Sequence, residues 1–235
     1  MQIPVYIICE GDPKSSNVAK LVSLFQDNCF DIFIISSKDM KGSKGKGYSY
    51  SLNHAKTNYP DSCCIVIRDC MFSNLSDGTM SCLIHKIIDG SNECDKKYGI
   101  CYLARYLDIC DGSVVESGVT TGGSIVTTKY AKGDDGILYT PEARDIMLVE
   151  LEESKKSPSD ILSHLIKKNC NAVAVSPPAL QYNPTFGDLK KTWECKSKDG
   201  PGPQPPNNNS TTSYSWLWFI LLFFIIIVAL WACWR

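Results

Sequence analysis

Several common signatures are missing from this sequence. Its 12 cysteines contain no Cys-x-x-Cys pair, and His54, His85 and His164 stand in no zinc-ligand spacing with them. The residue order therefore describes no structural zinc site. There is no excess of charge: 24 Lys+Arg against 25 Asp+Glu leave a net charge of −1, which removes the electrostatic argument for a nucleic-acid partner. No basic leader precedes the first apolar run, Ile3 to Cys9, and that run is too short for a secretory signal. Without a route to an oxidising compartment a disulfide framework is not expected. Cys9, Cys63, Cys64 and Cys101 lie inside apolar runs, where a free thiol behaves as a small hydrophobe. The stretch Lys38 to Gly47 is rich in lysine and glycine but lacks Walker spacing. It reads as a surface loop, or as one whose amides and lysines touch a diphosphate.

What is present suits one domain with appendages: 235 residues, 44% of them apolar. The chain is organised around Tyr48 to Cys70. A short helix is expected around His54 to Tyr59, a turn at Pro60-Asp61, then a strand at Cys63-Cys64-Ile65-Val66-Ile67. An unbroken apolar run of this length, rich in β-branched residues, fits a strand covered on both faces, as in a parallel sheet. It ends on Arg68-Asp69-Cys70. A carboxylate thus emerges at a strand's carboxyl end, where open α/β sheets place ligand sites.

Upstream, the run ending at Cys9 reads as a first strand, and Glu10-Gly11-Asp12-Pro13 as a turn. Ser15 or Ser16 can cap a helix through about Asp27, with Val18, Leu21, Val22 and Phe25 on one face. Phe30 to Ile35 is a second strand, which implies a right-handed parallel crossover. Downstream, the periodicity predicts a helix over Thr79 to Asp89, a strand over Tyr98 to Leu103, a polar stretch without defined structure over Asp108 to Gly123, and a strand over Ser124 to Thr128. Two acids between glycines at Gly133-Asp134-Asp135-Gly136 read as a turn. Thr140 is an N-cap with Pro141 at the first helical position, and the helix runs to about Glu153. A second helix opens at Pro158, and a last strand covers Asn171 to Ser176.

In collinear order these motifs resemble the family 25 glycosyltransferases, the lipopolysaccharide-type sugar transferases. Four segments carry the resemblance: Ser49 to His54, then Arg68-Asp69-Cys70, Thr140 to Arg144 with the following Pro158-Ser159-Asp160, and Pro177-Pro178-Ala179-Leu180-Gln181. Together they span about Ile3 to Tyr182. The resemblance implies an α/β fold: a Rossmann-like, GT-A nucleotide-sugar transferase domain with a mostly parallel sheet. It implies Asp69 and Asp160 as catalytic candidates, and Glu10, Asp12, His54 and Arg68 as candidates for substrate binding. The family's strand ends on Glu-Asp-Asp. Here only Asp69 remains, flanked by Arg68 and Cys70.

The missing acids bear on the chemistry. A transferase of this kind uses carboxylates to hold Mn²⁺ or Mg²⁺ against the diphosphate. With two of the three acids replaced, no cofactor is expected; Mn²⁺ or Mg²⁺ through Asp69 is expected only in an active enzyme. Two readings of Arg68 follow. It could neutralise a diphosphate in place of the metal, or it pairs with a nearby acid such as Asp69 in a site that has lost its function.

The carboxyl end has a different character. Residues 196–213 contain Gly200-Pro201-Gly202-Pro203-Gln204-Pro205-Pro206 and a run of asparagines, the composition of an extended linker. Within 214–235, Trp216 to Trp234 is an uncharged apolar run of 19 residues. As a helix it would be about 28 Å long, enough to cross a bilayer. Trp216 and Trp218 at one end and Trp231 and Trp234 at the other match interfacial belts. With only Arg235 after it, the segment reads as a tail anchor, leaving domain 1–195 in the cytosol. The sequence thus implies contact with a lipid bilayer and none with nucleic acid.

Two functions are open. One is a membrane-anchored, inactive glycosyltransferase-like module. The reduced motif set resembles proteins of large DNA viruses, which implies a minor capsid protein joining the shell to an inner membrane, with other capsid proteins as partners. The other is an active transferase moving a hexose from a nucleotide sugar to a protein or glycan.

Overall fold

Seven buried residues, Ile3–Cys9, form strand β1. Helix α1 (Ser16–Ser23) follows, and its first turn is closed by the Ser15 hydroxyl, which accepts from the Val18 amide. Then come β2 (Phe30–Ser36), α2 (Gly45–Asn58), β3 (Cys64–Arg68), β4 (Met71–Phe72) and α3 (Asp77–Asn92). The chain continues through β5 (Ile100–Tyr102), β6 (Leu107–Ile109), β7 (Val114–Thr120), β8 (Gly123–Thr128) and β9 (Gly136–Tyr139). Helices α4 (Pro141–Glu153) and α5 (Pro158–Lys167) precede β10 (Ala172–Ser176), β11 (Gln181–Tyr182) and β12 (Glu194–Lys196). This computed structural model describes residues 2–36, 45–92, 98–105, 107–109, 114–120, 123–129, 131–154, 156–167, 171–183 and 194–196.

The main sheet has eight strands in the order β2-β1-β3-β9-β5-β10-β8-β7. β1 is parallel to both β2 and β3, and β10 is parallel to β5. β9 runs against β3 and β5, while β8 runs against β10 and β7. Every strand except β8 and β9 therefore points the same way. The fold is mixed α/β of Rossmann-like kind with a mostly parallel large sheet. The expectation that β3 is covered on both faces holds, but one of its two neighbours is antiparallel.

Alternation along the strands separates two cores. Ile3, Val5 and Ile7 of β1 and Ile65 and Ile67 of β3 pack with Leu21 of α1 and Leu83 of α3. Tyr6 and Ile8, with Cys64 and Val66, face the other way, against Leu52 of α2, Met147 of α4 and Leu162 of α5. Each fully buried Ile or Val contributes roughly 2 kcal/mol, so the central strands fix the sheet.

Local differences from the sequence reading have physical causes. α2 begins at Gly45, well before His54. Tyr48, Leu52 and Ala55 make one buried face there, and that packing outweighs the low helix propensity of Gly45 and Gly47. Residues 38–44 of the Lys/Gly stretch lie outside the described residues. Part of the polar stretch after Asp108 forms β7, because pairing with β8 supplies its hydrogen bonds. α1 ends at Ser23, where Leu24 and Phe25 turn back onto its carbonyls, short of Asp27.

Arg144 is 2% exposed. Its guanidinium donates to the carbonyls of Tyr59 at 3.1 Å and Pro60 at 2.9 Å, and its Nε to Asp145. A cation from α4 thus satisfies the turn that closes α2. Among the described residues no helix is long and apolar enough to cross a membrane. The segment holding Trp216, Trp218, Trp231 and Trp234 lies outside the described residues, as does most of the linker.

Candidate functional site

The parallel strands β1 and β3 end side by side, with Ile8 opposite Arg68. Antiparallel β9 begins at the same edge, with Gly136 opposite Ile67. Three chain segments therefore meet there: Glu10 after β1, Arg68-Asp69 at the end of β3, and Asp134-Asp135 before β9. Glycines shape the third segment. Gly133 has φ 131°, which favours glycine. A Cβ on Gly136 would lie 2.9 Å from Ala104 Cβ.

Arg68 is the centre of this edge. Its Nη1 donates to Glu10 Oε1 at 2.8 Å and its Nη2 to Asp134 Oδ2 at 2.7 Å. Its Nε lies 3.1 Å from Asp135 Oδ1. The backbone repeats the link, Arg68 N–H donating to the Asp135 carbonyl at 3.0 Å. The Tyr182 hydroxyl donates to the other oxygen of Asp135. Burial works against the charge of Arg68, but Asp134, Asp135 and Glu10 outweigh it and hold the guanidinium more firmly protonated than usual. Tyr182 is pushed up, first by burial and then by the Asp135 charge.

Asp69 is buried. Its Oδ2 accepts from the amides of Glu10 at 3.0 Å and Gly11 at 3.1 Å. Its own amide donates to the Ile8 carbonyl. Asn17 of α1 donates to the carbonyls of Asp69 and Met71, and Asn183 donates to Asn17 Oδ1 at 2.8 Å. Asp69 thus ties the end of β3 to the turn after β1. The partners of Arg68 are Glu10, Asp134 and Asp135, and not the adjacent Asp69 named as an example from sequence.

The other candidates stand elsewhere. Asp12 is exposed and builds the turn before α1, accepting from the Lys14 amide at 2.9 Å. Asp160 is exposed and belongs to the cap of α5: the Ser157 hydroxyl donates to it at 2.7 Å and accepts from its amide. His54 lies against the middle of β1, its Nδ1 2.9 Å from the Tyr6 hydroxyl. The rings of Phe33, Tyr6, Tyr50 and Tyr59 surround it. The fold therefore brings together Glu10, Arg68 and Asp69, and assigns Asp12 and Asp160 to local turns. Sequence reasoning missed Asp134, Asp135 and Tyr182 as members of the edge. The Gly-Asp-Asp-Gly turn was the only visible signal.

The donor set does not fit a divalent cation of the kind the resemblance to sugar transferases implies. A guanidinium fills the space between Glu10, Asp134 and Asp135, and Asp69 Oδ2 is committed to two amides. Among the described residues no group of three His, Cys, Asp or Glu side chains could hold a metal ion. A cavity of about 440 Å³ lies nearby, between Asn17, Lys20 and Leu24 on one side and Phe72, Ser73 and Asn183 on the other. Its described lining includes neither Arg68 nor Glu10.

No protein-family model matches the sequence, and no curated protein matches it. Solved structures similar in fold include the crystal structure of A197 from STIV, at 14% identity and a TM-score of 0.46, covering 77% of this chain and 84% of that one. Another is 4-diphosphocytidyl-2C-methyl-D-erythritol synthase from Anaerococcus prevotii DSM 20548, at 9% identity and a TM-score of 0.42, covering 74% and 86%. A third is UDP-glucose pyrophosphorylase complexed with UDP-glucose, at 11% identity and a TM-score of 0.36, covering 73% and 72%.

Proposed function

We propose that this chain is a membrane-anchored glycosyltransferase-like protein without transferase activity, serving as a structural or interaction module. The observation that carries this reading is the engagement of Arg68 by Glu10, Asp134 and Asp135 at the edge where a nucleotide sugar would bind. A diphosphate needs exposed cationic charge or a bound metal. Here the Arg68 guanidinium is outnumbered by the carboxylates of Glu10, Asp134 and Asp135, which would repel the phosphates. The resemblance to family 25 sugar transferases supports the glycosyltransferase-like part. The uncharged run Trp216 to Trp234, with tryptophans at both ends, supports the anchor. A folded domain on a linker and a membrane segment suits a viral minor capsid protein that joins the shell to an inner membrane, with the bilayer and other capsid proteins as partners.

Calorimetric titration of the detergent-solubilised full chain with UDP and UDP-hexoses, with and without Mn²⁺, tests the reading. No heat of binding on a folded sample is expected. Saturable, metal-dependent binding would overturn it in favour of an active hexosyltransferase. Flotation with lipid vesicles tests the anchor: the full chain is expected to float, and a chain lacking 214–235 to stay behind.

A further inference from the structure

β2 closes one end of the main sheet. Its inner side is paired with β1 over its full length, from Ile3 opposite Phe30 to Cys9 opposite Ser36. No described residue pairs with its outer side. Open edges in stable monomers carry lysine, proline or a bulge, or are kept short. β2 has none of these: it is Phe-Asp-Ile-Phe-Ile-Ile-Ser, regular in register. Ile34 is 46% exposed, and Ile32 and Phe33 are half-buried. Its single charge, Asp31, is drawn back to the domain by the Tyr59 hydroxyl at 2.8 Å.

We propose that β2 is a self-association edge, and that a second copy of this chain pairs with it antiparallel about a twofold axis at Phe33. A closed pair of identical chains needs an isologous contact, and two copies of one strand meet that condition only when antiparallel. Charge and overlap choose the register. Centring on Phe33 pairs all of β2, placing Phe30 opposite Ser36, Asp31 opposite Ile35, and Ile32 opposite Ile34. No like charges then face each other, whereas a centre on Asp31 sets two carboxylates directly opposite, which is destabilising. The chosen register also covers the exposed Ile34 with Ile32 of the other copy and joins the two sheets into one. A strand pair buries less than the about 1,600 Å² of a standard interface. A concentration-dependent equilibrium, rather than an obligate dimer, is therefore expected.

Sedimentation of the full chain in detergent across a dilution series tests this. A monomer–dimer equilibrium is expected, weakened about tenfold or more by Ile34→Lys and kept by Ile34→Thr, which suits an exposed strand position. A benzophenone side chain at position 34, in a mixture of isotopically light and heavy copies, is expected to crosslink to residues 30–36 of the other copy. A monomer at every dilution, a dimer indifferent to Ile34→Lys, or crosslinks confined to one chain or to another segment would overturn the proposal.

Discussion

Arg68 Nη2 and Asp134 Oδ2 lie 2.7 Å apart although 66 positions separate them. The antiparallel register of β3 and β9 brings the Asp134-Asp135 turn back over the end of β3. The contact occupies the Arg68 cation at the carboxyl end of β3. With Glu10 and Asp135 on the same guanidinium, it adds a charged link to segments already joined by strand pairing, and offsets the repulsion among their carboxylates.

Arg68→Ala is expected to cost roughly 3–5 kcal/mol, because it removes the guanidinium that Glu10, Asp134 and Asp135 share. Arg68→Lys should recover only part, since an ammonium cannot fork to separate carboxylates. The arms differ. Glu10 is 47% exposed against 14% for Asp134, so Glu10→Gln should cost about 0–1 kcal/mol and Asp134→Asn clearly more. Urea unfolding midpoints check the order, and a neutral Arg68→Ala would refute the clamp.

Arg144→Ala is expected to destabilise on the order of 4 kcal/mol, as the buried carbonyls of the Tyr59–Pro60 turn lose their donor. Arg144→Lys should rescue little, for the geometric reason given for Arg68. Thermal unfolding of both variants measures this. Rescue by lysine would show that charge alone, rather than the forked donor, closes α2.

Thiol labelling of the folded chain should separate the described cysteines by burial. Cys82 is exposed and should react first. Burial pushes the Cys9 and Cys63 thiols up to about 11 and raises Cys64 and Cys101 further, so little thiolate forms near neutrality. These sites should react only after unfolding, as mass spectrometry of the labelled peptides would show. Fast labelling of Cys64 in the native state would contradict its place in the core.

Ser81 of α3 donates to Asp27 at 2.7 Å and, as the main cause, holds that carboxyl below its usual range. A depressed pKa stabilises above the unfolded-state value, about 3.9, and the contribution fades as pH falls through the folded-state value. Ser81→Ala should therefore lower stability most at neutral pH, with the gap to the parent chain narrowing below about pH 4. Denaturant titrations at several pH values check the sign. A gap that widens in acid would refute it.

Much of the fold was legible because its causes are local. The apolar run at Cys63 to Ile67 fits a buried strand, and Cys64–Arg68 form one. Ser15, and Thr140 followed by Pro141, fix helix starts through their own hydroxyls and ring. The length of α2 and the existence of β7 were not legible, because packing and strand pairing decided them. The site was less legible still. Arg68 and Asp69 are neighbours in the chain, yet Arg68 is the last residue of β3 and Asp69 the first beyond it. Asp69 goes to the Glu10 and Gly11 amides, and Arg68 to Glu10, Asp134 and Asp135. The sequence by itself determined that a charged pair would emerge at the carboxyl end of a central strand. Only the tertiary structure decided which partners each charge would meet, because those partners lie in turns at the ends of two other strands whose order and direction no local signal encodes.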